Sequence, residues 1–184
     1  MQEKNNTIFS IGHGNKTIEE FILELKSFDI QYLIDVRSIP YSKYNTQFNK
    51  EELKEYVEEE GIKYIYLGDI LGGLPKDKSC YTEGKVDYKK LKEKTSFKEG
   101  LQRLKKANEQ KINVCIMCSE TNPKECHRSK VIGVELENMG IGIRHIISKD
   151  KEKSQKQVIL EATKGLGVNT LFGEETLLSK KKHL

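Results

Sequence analysis

Five short runs of β-branched, aromatic and aliphatic residues, each broken by glycine or polar residues and then followed by a segment of helical period, constrain this chain more than any other feature. The runs are Thr7 to Ile11, Gln31 to Val36, Ile62 to Leu67, Ile112 to Cys118 and Ile141 to Ile147. Strands that alternate with helices build crossover units, and crossover units close on a parallel sheet. Tyr32-Leu33-Ile34 is continuously apolar rather than alternating, which is the pattern of a strand covered on both faces. The expected fold class is α/β: a mostly parallel sheet of about five strands with helices on both faces.

The intervening segments carry helix signals. Thr17-Ile18-Glu19-Glu20 reads as a capping box, with Ile18, Phe21, Ile22, Leu25 and Phe28 at helical spacing behind it. Asn49-Lys50-Glu51-Glu52 opens a second helix that Gly61 ends, and Ser96-Phe97-Lys98-Glu99 opens a third carrying Leu101, Leu104 and Ala107. Asn122-Pro123-Lys124-Glu125 predicts a helix running to about Met139, with Gly140 as its stop. From Gly68 to about Gly84 the pattern lapses into a long irregular connection, of the kind that is functional or mobile.

A chain of 184 residues fits one domain. We expect residues 1–148 to form it and residues 149–184 to be a lysine-rich extension, part helical through Val158, Ile159 and Ala162, packed on or trailing the same body. The net charge of +4 is a mild excess of 32 basic over 28 acidic side chains, unlike the concentrated field of a dedicated nucleic-acid binder. Met1 to Ser10 lacks the apolar stretch of a secretory signal, and four cysteines are too few and too unevenly spaced for a disulfide framework. These features predict a cytoplasmic protein with free thiols and no membrane role.

Right-handed crossovers bring the carboxyl ends of parallel strands to one edge, where ligands bind. On this chain that edge collects His13 from the first strand, Asp35 and Arg37 from the second, Asp69 from the third, and Cys118, Ser119 and Glu120 from the fourth, with Cys126, His127 and Arg128 following on the next helix. Polar residues at strand ends also simply begin solvated loops, and Asp35 with Arg37 makes a structural ion pair as readily as a site. Cys118 is the leading candidate nucleophile, because a thiol just before a helix amino terminus gains thiolate character there. Cys126 fits a nucleophile, a resolving thiol or a packing residue. Cys115 and Cys118 are three apart on a strand and point to opposite faces, so they are not read as a dithiol pair.

Acid/base candidates are His13 and His127, with Glu120 or Asp35 orienting them. Arg37 and Arg128 suit a phosphate or carboxylate, and Ser38, Ser119, Tyr41, Gly72 and Gly73 complete the substrate-side set. No cofactor is expected. Zinc is the alternative, with Cys118, Cys126, His127 and His13 as donors, although the seven-residue gap between the cysteines and the adjacency of Cys126 and His127 depart from structural zinc spacings.

With these residues in hand, the chain resembles the family known as domain of unknown function 488. The likeness spans roughly Ile8 to Ile147 through Ser10-Ile11-Gly12-His13, Asp35-Val36-Arg37-Ser38 with Pro40, Gly61-Ile62-Lys63-Tyr64, Leu67-Gly68 with Leu71-Gly72-Gly73, Cys118-Ser119-Glu120 with Pro123, and Cys126-His127-Arg128. It brings no reaction with it. A weaker likeness, through Ile34-Asp35-Val36-Arg37 and a strand ending in Cys118, is to rhodanese-type folds, whose anion loop is more compact than the stretch from Cys118 to Arg128.

Two functional readings follow from the residues. One is an enzyme acting on an anionic substrate of nucleotide, nucleic-acid or phosphoryl type. The other is a non-catalytic nucleic-acid or partner-binding module, with Arg37, Lys43, Arg128 and the tail lysines on phosphates and Tyr41, Tyr44 and Tyr66 as stacking surface. The sequence assigns no oligomeric state.

Overall fold

A computed structural model describes residues 7–167 together with Leu177 and Ser179. The tail lysines Lys180, Lys181 and Lys182 lie outside the described residues. In chain order the elements begin with β1 (Thr7–Gly12), α1 (Ile18–Ser27), β2 (Tyr32–Asp35), α2 (Lys50–Glu59), β3 (Lys63–Tyr66) and α3 (Gly68–Leu71). They continue with β4 (Tyr81–Thr82), β5 (Lys85–Val86), α4 (Tyr88–Lys92), α5 (Thr95–Glu109) and β6 (Val114–Cys118). The last are α6 (Val134–Asn138), β7 (Gly142–Ser148), β8 (Lys151–Ser154) and α7 (Gln155–Ala162). None of the described helices is long and apolar enough to cross a membrane.

The main sheet has six strands in the order β3-β2-β6-β1-β7-β8. Every pairing in it is parallel except the last, β7 with β8. The fold is thus the expected α/β class, with β8 as an added antiparallel edge strand. β6 lies centrally and is buried along its whole length. Its side chains alternate between two cores: Cys115 and Met117 pack with Phe21, Leu25, Leu53 and Val57 of α1 and α2, while Val114, Ile116 and Cys118 pack with Phe97, Leu101 and Leu104 of α5. Cys115 and Cys118 therefore face opposite sides of the sheet, as a two-residue strand period requires.

Thr17 forms the anticipated capping box, its side chain accepting from Glu20 N while Glu20 reaches back to Thr17 N. Asn49 precedes α2 but does not cap it with its side chain; its Oδ1 accepts from Ser42 N instead and pins the 38–49 loop. The stretch from Gly68 to Gly84 is less irregular than the sequence suggests, holding α3, a 3-10 turn over Lys78–Cys80 and β4, which pairs with β5 just beyond it in a small hairpin.

The largest departure is after β6. In place of one helix from Asn122 to Met139, Asn122 caps only a 3-10 turn, Pro123–Glu125, and Cys126 then adopts extended backbone at φ −106°, ψ 147°. A π-helical segment, Arg128–Gly133, follows and runs on into α6. Local propensity favours the uninterrupted helix, so the break at Cys126 is imposed by tertiary contacts. It turns that side chain back toward the end of β6.

Candidate active site

The carboxyl ends of β1, β2 and β6 are tied by backbone bonds that continue past the strands. His13 N donates to Cys118 O and Gly14 N to Ser119 O, each at 3.0 Å, and Val36 N donates to Met117 O at 3.0 Å. These bonds place His13, Arg37 and Cys118 on one edge. A Cβ on Gly12 would lie 1.9 Å from Glu120 O, so the 119–121 loop crosses β1 at a distance that glycine alone permits.

Arg37 is buried and held rigidly. Its Nε donates to Asp35 Oδ1 at 2.9 Å and its Nη2 to Asp35 Oδ2 at 2.6 Å, the two-pronged geometry that fixes a guanidinium plane. Asp35 also accepts from Arg37 N at 3.0 Å and from the Tyr64 hydroxyl at 2.6 Å. Burial and the neighbouring Asp35 raise the Tyr64 phenol, which keeps it a donor. Arg37 Nη1 lies 3.4 Å from His13 Nε2, and His13 Nδ1 lies 2.8 Å from Gly14 O. Burial lowers His13 to about 4, so at neutral pH the ring is uncharged, with Nδ1 donating to Gly14 O and Nε2 accepting from Arg37. Stacked on Phe48 at 4.3 Å, His13 buttresses Arg37.

Arg128 is turned inward. Its Nε donates to Ser10 Oγ at 3.3 Å, Nη1 to Glu120 O at 2.7 Å and Nη2 to Thr121 O at 3.2 Å. These bonds clamp the loop between Cys118 and Cys126, and they direct the guanidinium at the protein's own carbonyls. Ser10 belongs to a further buried chain: its Oγ is 2.6 Å from His145 Nδ1, His145 Nε2 is 2.6 Å from Gln155 Oε1, and Gln155 Nε2 donates to Ser129 O at 2.8 Å. Gln155 Oε1 accepts only, so His145 Nε2 carries the proton and Nδ1 accepts from Ser10.

Beside these supports lie three donors within 4.8 Å of one another, all buried: Cys118, Cys126 and His127. His127 Nδ1 is 3.8 Å from Cys118 Sγ and 3.6 Å from Cys126 Sγ. Arg128 N donates to Cys126 Sγ at 3.5 Å. Burial pushes the Cys126 thiol up, but the Cys118 S–H donating to it, with Arg128 and His127 nearby, outweighs burial and holds Cys126 well below the ordinary thiol range. Cys118 moves well above that range, through that same hydrogen bond and through burial. Within this coupled pair the lower thiol is Cys126, which accepts the Cys118 S–H.

A cleft of about 580 Å³ opens over this cluster. Arg37, Ser38, Gly73, Cys118, Ser119, Glu120, Cys126 and His127 line it; His13, Asp35, Tyr41, Gly72 and Arg128 do not. Ser38 Oγ accepts from Leu74 N at 2.8 Å, which draws the 72–74 loop onto the site. A Cβ on Gly73 would lie 2.7 Å from His127 Nδ1, so the backbone of this loop packs directly against the imidazole. The cleft also includes Tyr88, Lys124, Lys130, Glu161 and Lys164, none of which stood out in the sequence. Lys124 and Lys130 flank the Cys126-His127-Arg128 motif, a proximity that offered a signal. Glu161 and Lys164 arrive only through the packing of α7, which no local pattern announces.

The sequence profile of the family described as Domain of unknown function DUF488 matches residues 17–134. No curated protein and no solved structure matches the chain.

Proposed function

Because the chain belongs to the DUF488 family, whose description names no reaction, we propose on the chemistry of the cleft that it is an enzyme acting on an anionic substrate of nucleotide, nucleic-acid or phosphoryl type. The observation that carries this reading is the shared cleft, in which a pre-aimed guanidinium, Arg37, and the Cys118, Cys126 and His127 cluster line one cavity. Arg37 spends its Nε and one side of its fork on Asp35 and keeps further N–H groups for a ligand oxygen. Lys124 and Lys130 add positive charge to the wall, and the cluster supplies the reactive atoms. Asp35, His13 and Tyr64 act through Arg37 by positioning it.

The test is protection. Alkylation of Cys118 and Cys126, read by mass spectrometry with Cys80 and Cys115 as internal references, is expected to slow when phosphate, pyrophosphate or a nucleoside phosphate fills the cleft. Arg37→Lys, which keeps the charge but loses the fork, is expected to need about tenfold more of the same anion. If no anion in the series protects the cluster or raises the melting temperature, the reading is wrong.

One surface favours a second reading. Ile39, Tyr41 and Tyr44 on the loop after β2 are 66%, 59% and 93% exposed, and Ile39 also lines the cleft. Such a rim suits base stacking in a non-catalytic nucleic-acid module. Binding of single-stranded oligonucleotides that falls steeply with salt and with Tyr44→Ala, with no turnover, would favour that module over the enzyme.

A further inference from the structure

Two contacts on one nitrogen set the problem. Cys118 Sγ and Cys126 Sγ sit 3.8 and 3.6 Å from the same atom, His127 Nδ1. Cys118 spends its S–H on Cys126 Sγ, and a ring N–H at Nδ1 has one proton to give, which goes to the low thiol Cys126, so the 3.8 Å approach of Cys118 Sγ to Nδ1 is left without a hydrogen bond of its own. The remaining ring nitrogen, Nε2, is buried and has no hydrogen-bond partner among the described residues. Buried imidazoles are ordinarily held through their polar atoms. Here the two sulfurs are what His127 engages.

A tetrahedral ion about 2.3 Å from each sulfur and about 2.0 Å from nitrogen separates each sulfur from the nitrogen by about 3.5 Å. The observed separations, 3.6 and 3.8 Å, lie slightly above that value for both sulfurs. We propose that Cys118 Sγ, Cys126 Sγ and His127 Nδ1 are three ligands of a thiophilic divalent ion, zinc in the first place, whose fourth position faces the cleft. This deepens the enzymatic reading above and rests on it for the role of the fourth position, which would take water or an oxygen of the anionic substrate.

The chemistry of the donor set agrees. Two thiolates and a neutral imidazole balance a dication, so the donor set with its ion carries no net charge, and the proton of Cys118 leaves to solvent as the ion enters. Sulfur donors select zinc over magnesium or calcium. Three protein ligands of the Cys2His type with one open position are the pattern of catalytic rather than structural zinc sites. The spacing rules that argue against zinc from the sequence describe hairpin and knuckle sites. They do not govern this one, where a strand end and an interrupted helix start meet in space. The neighbourhood is built to hold the ligands still: Gly73 backbone packs on the His127 ring, and Arg128 clamps the loop that separates the two cysteines.

The experiment uses the full chain, stripped with chelator under reducing conditions and titrated with zinc or cobalt alone. One equivalent of cobalt is expected to give thiolate charge-transfer absorption and the visible bands of a tetrahedral ion, and one equivalent of zinc is expected to bleach them. Cys118→Ser, Cys126→Ser and His127→Gln should each lose the spectrum, whereas Cys115→Ser and Cys80→Ser should keep it. His127→Cys, which restores a ligand, should recover binding with added sulfur absorption, and so guards against variants that merely misfold. Absence of a stoichiometric site in the folded parent chain, or an unchanged spectrum in Cys126→Ser, overturns the proposal. Zinc binding without anion protection would sink the enzymatic reading and leave the metal site standing; anion protection without zinc binding would do the reverse.

Discussion

Acid should unfold this protein partly through one residue that does not line the cleft, His145. The imidazole is fully buried between Ser10 and Gln155. Burial lowers it from 6.5 to about 4; the Gln155 hydrogen bond opposes that, nearby Arg128 reinforces it and Cys126 opposes it slightly. The unfolded chain then binds a proton between these two values that the folded chain refuses. Stability from this group is complete above about pH 6.5, declines as pH falls, and is spent by about pH 4. The gap corresponds to about 3 kcal/mol, with a slope near pH 5.5 of about 1 kcal/mol per pH unit. Against a domain stability of roughly 5–15 kcal/mol, that is a large share.

Urea denaturation of the parent and of His145→Gln across this range isolates the effect, since glutamine can still donate to Gln155 and accept from Ser10 but does not titrate. The variant should be the less stable protein at neutral pH, and the difference should shrink or reverse toward pH 4. A stability difference that is flat with pH would refute the assignment of a depressed histidine at this position.

Two further outcomes follow from close contacts. Gly73→Ala pushes a methyl against His127 Nδ1 and should weaken cobalt or zinc affinity by about 10- to 100-fold with little loss of secondary structure, checked by competition titration and circular dichroism. Tyr64→Phe deletes the 2.6 Å bond to Asp35 and should cost about 1–2 kcal/mol in urea while leaving Arg37 paired; an unchanged midpoint would mean that this bond contributes nothing net.

The fold was legible where the signals were local. Continuous apolar runs marked the parallel strands, and the Thr17 capping box marked the start of α1. β8 was missed because Lys151-Glu152-Lys153 has neither apolar content nor alternation; its partner β7 makes it a strand. The Asn122 to Met139 helix failed for the opposite reason: its local signals were strong, and packing of Cys126 against the end of β6 overrode them. At the site, strand-end logic brought Arg37, Cys118, Cys126 and His127 to one place. It did not show that His13 and Arg128 spend their polar atoms on supporting roles, since hydrogen-bond partners such as Gly14 O, Glu120 O and Ser10 Oγ are set by tertiary geometry. His145 and Gln155 gave no signal at all, being single polar residues in segments with other business.

The strand order sets what the family-matched span leans on from outside itself. The span that the family profile matches, residues 17–134, contains β2, β3 and β6, while β1 and β7 lie outside the matched residues. β1 lies between β6 and β7, and β6 pairs along it from Cys115 to Cys118. A fragment cut to the shared span would expose one whole flank of the strand that bears Cys118 and would strip Arg128 of Ser10. The residues that the family profile matches thus rely, for the closed middle of the sheet and for one anchor of Arg128, on a strand that lies outside the match.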